Sequence, residues 1–158
     1  MNDALIATGH WSAMILTFLV VALTVVLHYE VLSQLNRRLP HWSTIPARLR
    51  VLALMFILLG LHLLEIVIFG LSIHLAEHMP SLGKLGGGAG LLDAIYLSAT
   101  SYSTLGYGDL VPYGPIRILV GMESLVGLLM ITWSASFTYL EMQKYWNPDA
   151  PDFGGDRL

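Results

Sequence analysis

The sequence predicts an all-α membrane protein with three transmembrane helices and a short re-entrant helix that runs into a loop. Three observations carry this. Residues of the AVILMFWYC set make up 55% of the 158 positions, charged residues only 12%, and mean hydropathy is +0.66; a soluble domain of this length needs more charged surface. Three apolar segments each exceed the ~20 residues that a bilayer crossing requires. Between the second and third, a glycine-rich stretch and a short apolar segment lead into "STLGYGDLVP" at 103–112. The chain has no cysteine, which excludes disulfides, zinc-thiolate sites and thiol catalysis. Its net charge of −3 and lack of a basic patch exclude a nucleic-acid partner. The lipid bilayer is the partner that composition demands.

The first span covers residues 11–35 and has no formal charge before Glu30. The segment ahead of it, "MNDALIATGHW", carries an acid and no Lys or Arg, unlike a cleavable signal peptide with its basic start. The linker "NRRLPHWSTIPARLR" holds Arg37, Arg38, Arg48 and Arg50, half of the 8 basic residues. Positive residues mark the cytoplasmic side. The N-terminus is therefore expected outside and the C-terminus cytoplasmic, with Lys144, Tyr145 and Trp146 at the inner interface. The second span covers 47–76 and contains His62 and Glu65. "PSLGKLGGGAG" at 80–90 reads as a flexible turret. "LLDAIYLSATSYS" at 91–103 covers only ~20 Å as a helix, too short to cross. The third span, 115–142, is interrupted by Glu123. The organisation is thus an N-terminal helix and linker (1–46), a two-span module with the re-entrant segment (47–144), and a short cytoplasmic tail (145–158).

Irregular backbone at membrane depth must be buried in protein or line a wet cavity. In "TLGYG", Gly106 and Gly108 tolerate φ > 0, which lets successive carbonyls point the same way. The Thr104 hydroxyl adds a further oxygen. The result is a ladder of neutral oxygens suited to a weakly hydrated monovalent cation. One chain supplies one wall, so several copies must surround an axis.

"TLGYGD" (104–109) resembles the potassium-channel signature sequence. The resemblance extends over the pore module, about residues 48–142, and "ESLVG" (123–127) is similar to the inner helix of inward-rectifier channels, bacterial ones included. It implies a homotetramer in which 91–103 is the pore helix and 104–108 the selectivity filter. K⁺ would be a permeant ion, not a catalytic cofactor, held by Thr104, Leu105, Gly106 and Tyr107, with Gly108 closing the loop and the Tyr107 ring bracing it. Asp109, with Glu77, would form an acidic outer mouth; Thr100 and Glu123 would support the filter. Gly127 would be a hinge, and Ile131, Ala135 and Tyr139 would line a constriction below it. The setting implied is a bacterial inner membrane. Three residues depart from the family pattern: Leu105 replaces the usual Val or Ile, Thr100 a frequent Glu, and Ile131 an acid that binds blocking polyamines. With about sixteen residues after the inner helix, a large cytoplasmic domain is not expected. The first span has no counterpart in a two-helix channel.

Competing readings are weaker. "HLAEH" (74–78) fits the H-x-x-E-H pattern of inverted zinc peptidases, but a third ligand and a cleft are also needed. The chain is therefore expected not to be an enzyme, with an extracellular divalent cation near His74 and His78 as a candidate ligand. An accessory subunit that had lost conduction would have no physical reason to keep both filter glycines. His62 and Glu65, three residues apart, share a helix face and are expected to make an interhelical hydrogen bond, with proton sensing as the alternative; the first span is expected to pack around the outside, against them. No span carries arginine at every third position, so no voltage sensor of the usual kind is expected.

Overall fold

A computed structural model describes residues 3–42, 44–88 and 90–146 of the chain. The first helix, α1 (Asp3–Arg38), is continuous and ends in a 3-10 turn, Leu39–Trp42. At 1.5 Å per residue its 36 residues reach ~54 Å, well beyond the ~30 Å apolar core of a bilayer. The second, α2 (Ala47–Glu77), follows Pro46 at its N-cap, whose carbonyl accepts the Leu49 and Arg50 N–H groups. A short helix, α3 (Leu91–Tyr102), follows, and α4 (Arg117–Trp146) closes the described chain. Three stretches, Thr8–Trp42, Ala47–Glu77 and Arg117–Lys144, are long and apolar enough to cross a membrane. The chain is an all-α membrane protein, with the spans where hydropathy placed them. The tail from 147 onward lies outside the described residues, as do the side chains of Tyr145 and Trp146.

The turret is more ordered than its glycines suggest. Strand β1 (Lys84–Gly86) pairs antiparallel with β2 (Val111–Tyr113), in the register Lys84↔Tyr113, Leu85↔Pro112, Gly86↔Val111. The Glu77 carboxylate accepts the Leu85 N–H at 3.0 Å, and Ile116 N–H donates to Leu82 at 2.8 Å. The segment before α3 is thereby tied to the segment after the loop.

Helix α3 packs between α2 and α4, while α1 lies along α4 and α2. The buried stripe of α1 runs through Ala13, Thr17, Val20, Thr24, His28, Leu32 and Leu35. Small and hydroxyl-bearing residues allow close helix approach in lipid. Thr17 and Thr24 satisfy their own hydroxyls by donating to Ala13 and Val20 carbonyls four residues back. The opposite faces expose large apolar side chains such as Phe18 at 71% and Phe56 at 71%, the surface expected of lipid-facing helices.

Candidate functional site

The loop at 104–108 begins in a Schellman cap on α3. Thr104 N–H donates to Ser101 O and Leu105 N–H to Thr100 O, both at 2.9 Å; Gly106 N–H joins Thr100 O at 3.1 Å. That pattern places Thr104 at the left-handed position, which glycine usually occupies. Its φ is 59°, the one positive value at a non-glycine among the described residues. Gly106 (54°) and Gly108 (80°) are also positive, whereas Leu105 and Tyr107 between them are not. Sign therefore alternates along the loop. A regular strand turns successive carbonyls to opposite sides; alternating handedness is what turns them to one side. An added Cβ at Gly106 or Gly108 would meet nothing within 4 Å, so conformation, not space, requires glycine there. Leu105 and Tyr107 stand exposed in the protomer, at 57% and 67%.

Two acids flank the loop. Asp109 accepts a 2.9 Å hydrogen bond from the Tyr96 hydroxyl on α3. Glu123 on α4 is fully buried and is bonded by Ser98 of α3, whose hydroxyl also lies 2.7 Å from the Ile66 carbonyl on α2. Glu123 is thus bonded to α3 through Ser98. Thr100 contributes through its carbonyl, while its hydroxyl donates to Leu97 O at 2.9 Å. Tyr96 and Ser98 were not anticipated: polar positions on a short helix have no periodic signature, and their partners lie far along the chain.

Against this geometry, the profile of the family described as "Ion channel" matches residues 61–143, more than half the chain, from mid-α2 through the loop to the end of α4. The chain belongs to the ion-channel family. A stretch of 48 residues is 42% identical to the inward rectifier potassium channel Kirbac3.1 of Paramagnetospirillum magnetotacticum, covering 30% of this chain and 16% of that channel. This chain thus spans only a small part of that relative's length. No solved structure matches it significantly. The resemblance to the potassium-channel pore family is borne out.

In this ion channel, Gly127 is buried where α4 crosses the end of α3. A Cβ there would stand 2.8 Å from the Tyr102 carbonyl carbon and from its Cγ. The glycine is a close-packing position in the protomer. Ile131, Ala135 and Tyr139 follow at four-residue steps and are all exposed on one face of α4; Tyr139 accepts a 2.6 Å bond from Gln143.

Four of the six histidines fall into two groups. His74 and His78 stack edge to face at 4.8 Å, and His78 Nδ1 bonds the His74 carbonyl at 2.9 Å. Glu77, the acid of the H-x-x-E-H pattern, is engaged by Leu85. The second group lies around the middle of α2. Glu65 is fully buried and is met by His28 Nδ1 of α1 at 2.9 Å, by His62 Nδ1 at 3.2 Å, and by the Tyr102 hydroxyl. Ligand atoms of His28, His62 and Glu65 lie within 4.8 Å of one another, a spacing that could hold a metal ion, although each already takes part in a hydrogen bond. The expected bond from the His62–Glu65 face to the first span is present; the partner, His28, escaped a reading based on formal charge.

Proposed function

We propose that this ion channel is a potassium-selective, passive pore formed by four copies of the chain, with residues 104–108 as the selectivity filter. The observation that carries the reading is the alternating sign of φ at Thr104, Leu105, Gly106, Tyr107 and Gly108. It supports a row of carbonyls directed to one side, joined by the Thr104 hydroxyl, where K⁺ exchanges its water for protein oxygens. The exposure of Leu105 and Tyr107 supports the need for neighbouring copies to complete the cage. Asp109 adds negative charge at the outer mouth, which concentrates cations. The α3 helix directs the negative end of its dipole towards the loop's inner side. Ile131, Ala135 and Tyr139 form the pore-lining face of α4 below the filter. The four arginines of the linker at 36–50 support a cytoplasmic position for it and an N-terminus outside.

The test is flux into liposomes containing the purified chain. The reading requires K⁺ flux well above Na⁺ flux and block by barium. Equal passage of both ions, or a monomer that conducts nothing, defeats it.

A further inference from the structure

A carboxylate inside a bilayer is costly unless partnered. Glu65 has partners from three helices, His28 on α1, His62 on α2 and Tyr102 on α3. His62 Nδ1 also lies 2.9 Å from the Tyr102 hydroxyl, and His28 Nε2 lies 3.3 Å from Ser134 Oγ on α4. All four helices therefore meet in one polar layer. Apolar packing divides around it. On one side lie Ala13, Val20, Phe69 and Ile73; on the other lie Leu32, Leu35, Leu54, Leu58 and Leu61. Donors and acceptors match when His28 carries its proton on Nδ1. That N–H serves Glu65 Oε1, Tyr102 O–H serves Oε2, and Ser134 O–H serves the free Nε2.

We propose that His28 is a positioning residue for the filter, acting through Glu65 on Tyr102. The proposal rests on the reading of 104–108 as the ion-conducting loop. Tyr102 is the last residue of α3, and Thr104, two positions on, opens that loop. The Tyr102 ring is held by Glu65 and His62, and its backbone presses on Gly127. His28 occupies Oε1 and so aims Oε2 at Tyr102. Without that N–H, Oε1 becomes an unpartnered buried oxygen. The carboxylate then turns to regain a donor, and the end of α3 shifts with it. On this account α1 is part of the filter's support and more than an outer packing helix.

The experiment compares full-length His28→Leu, His28→Asn, Tyr102→Phe and the double variant His28→Leu/Tyr102→Phe in liposomes. His28→Leu and Tyr102→Phe should each lower the K⁺/Na⁺ flux ratio about tenfold, and the double variant no further, as coupled residues behave. His28→Asn, which returns an N–H near the place of Nδ1, should stay within about threefold of the parent. A purely structural His28 would lower yield or melting temperature and leave the ratio of the surviving channels unchanged, which overturns the proposal. Additive effects overturn it too. So does an unchanged ratio in Tyr102→Phe, which decides the matter if His28→Leu fails to assemble. Zinc that copurifies with the parent and is lost in His28→Asn would make the cluster a metal centre and likewise overturn it. If the parent passes Na⁺ as readily as K⁺, the filter reading itself fails. Total cation flux in the same variants then decides: matched, non-additive losses support positioning by His28, and parental flux in all of them overturns it.

Discussion

Tyr96 on α3 donates a 2.9 Å hydrogen bond to Asp109, so the acid just after the loop is held by the helix just before it. The Asp109 carboxylate that accepts this bond, aided by partial desolvation, holds the Tyr96 phenol above its ordinary value of 10.0. A raised phenol favours its neutral form in the folded protein. The contribution is therefore complete below pH 10 and is lost as pH rises through the shifted value. Melting temperature of the parent should fall more steeply above about pH 10 than that of Tyr96→Phe, and the two should show parallel pH dependence near neutrality. Superimposable alkaline profiles would mean the bond is not formed.

Gly106→Ala should abolish K⁺ flux while leaving the helical fold intact. Space around Gly106 is open within its own chain, so the penalty inside one protomer is the left-handed backbone, about 1–2 kcal/mol. The alanine relieves it by leaving φ > 0, which breaks the alternation. Circular dichroism and liposome flux together check both halves. Parental flux would remove the argument from φ.

Gly127→Ala separates close packing from a hinge. Inserting a methyl against the Tyr102 backbone should cost about 1–3 kcal/mol as α3 is pushed away. Melting temperature and flux should both fall. A glycine present only for bending gives the opposite sign, because alanine in a helix interior is favoured by up to about 1 kcal/mol. A raised melting temperature would restore the hinge as its main role.

Glu123→Leu should weaken K⁺ occupancy of the proposed filter, read as a rightward shift of about tenfold in the K⁺ concentration that protects against thermal unfolding. Glu123→Gln keeps an oxygen for Ser98 and should shift it less. If neither variant changes the K⁺ dependence, Glu123 does not support the loop.

Much of the fold was legible because it rests on long-range averages. Composition and hydropathy place the three spans, and length alone makes residues 91–103 too short to be a fourth. The positive φ of Gly106 and Gly108 follows from residue type. That of Thr104 does not, since a β-branched residue is disfavoured there and only the cap on α3 imposes it. The β1–β2 ladder was invisible because "KLG" and "VPY" are too short to alternate and contain Gly and Pro. Ser98, Tyr102 and His28 were missed for a common reason. Each acts through a partner at least 25 residues away, and a lone ring or hydroxyl carries no formal charge to flag it in an apolar segment.

The loop at 104–108 is fastened at one end by the cap on α3 and at the other by the ladder between β1 and β2. Both fastenings belong to a single polypeptide. In the proposed tetramer the shape of each wall would then be set within one subunit, and assembly would inherit it. Coexpressing parent and Gly106→Ala chains would then yield a graded series of hybrids, each damaged in proportion to the mutant copies it incorporates.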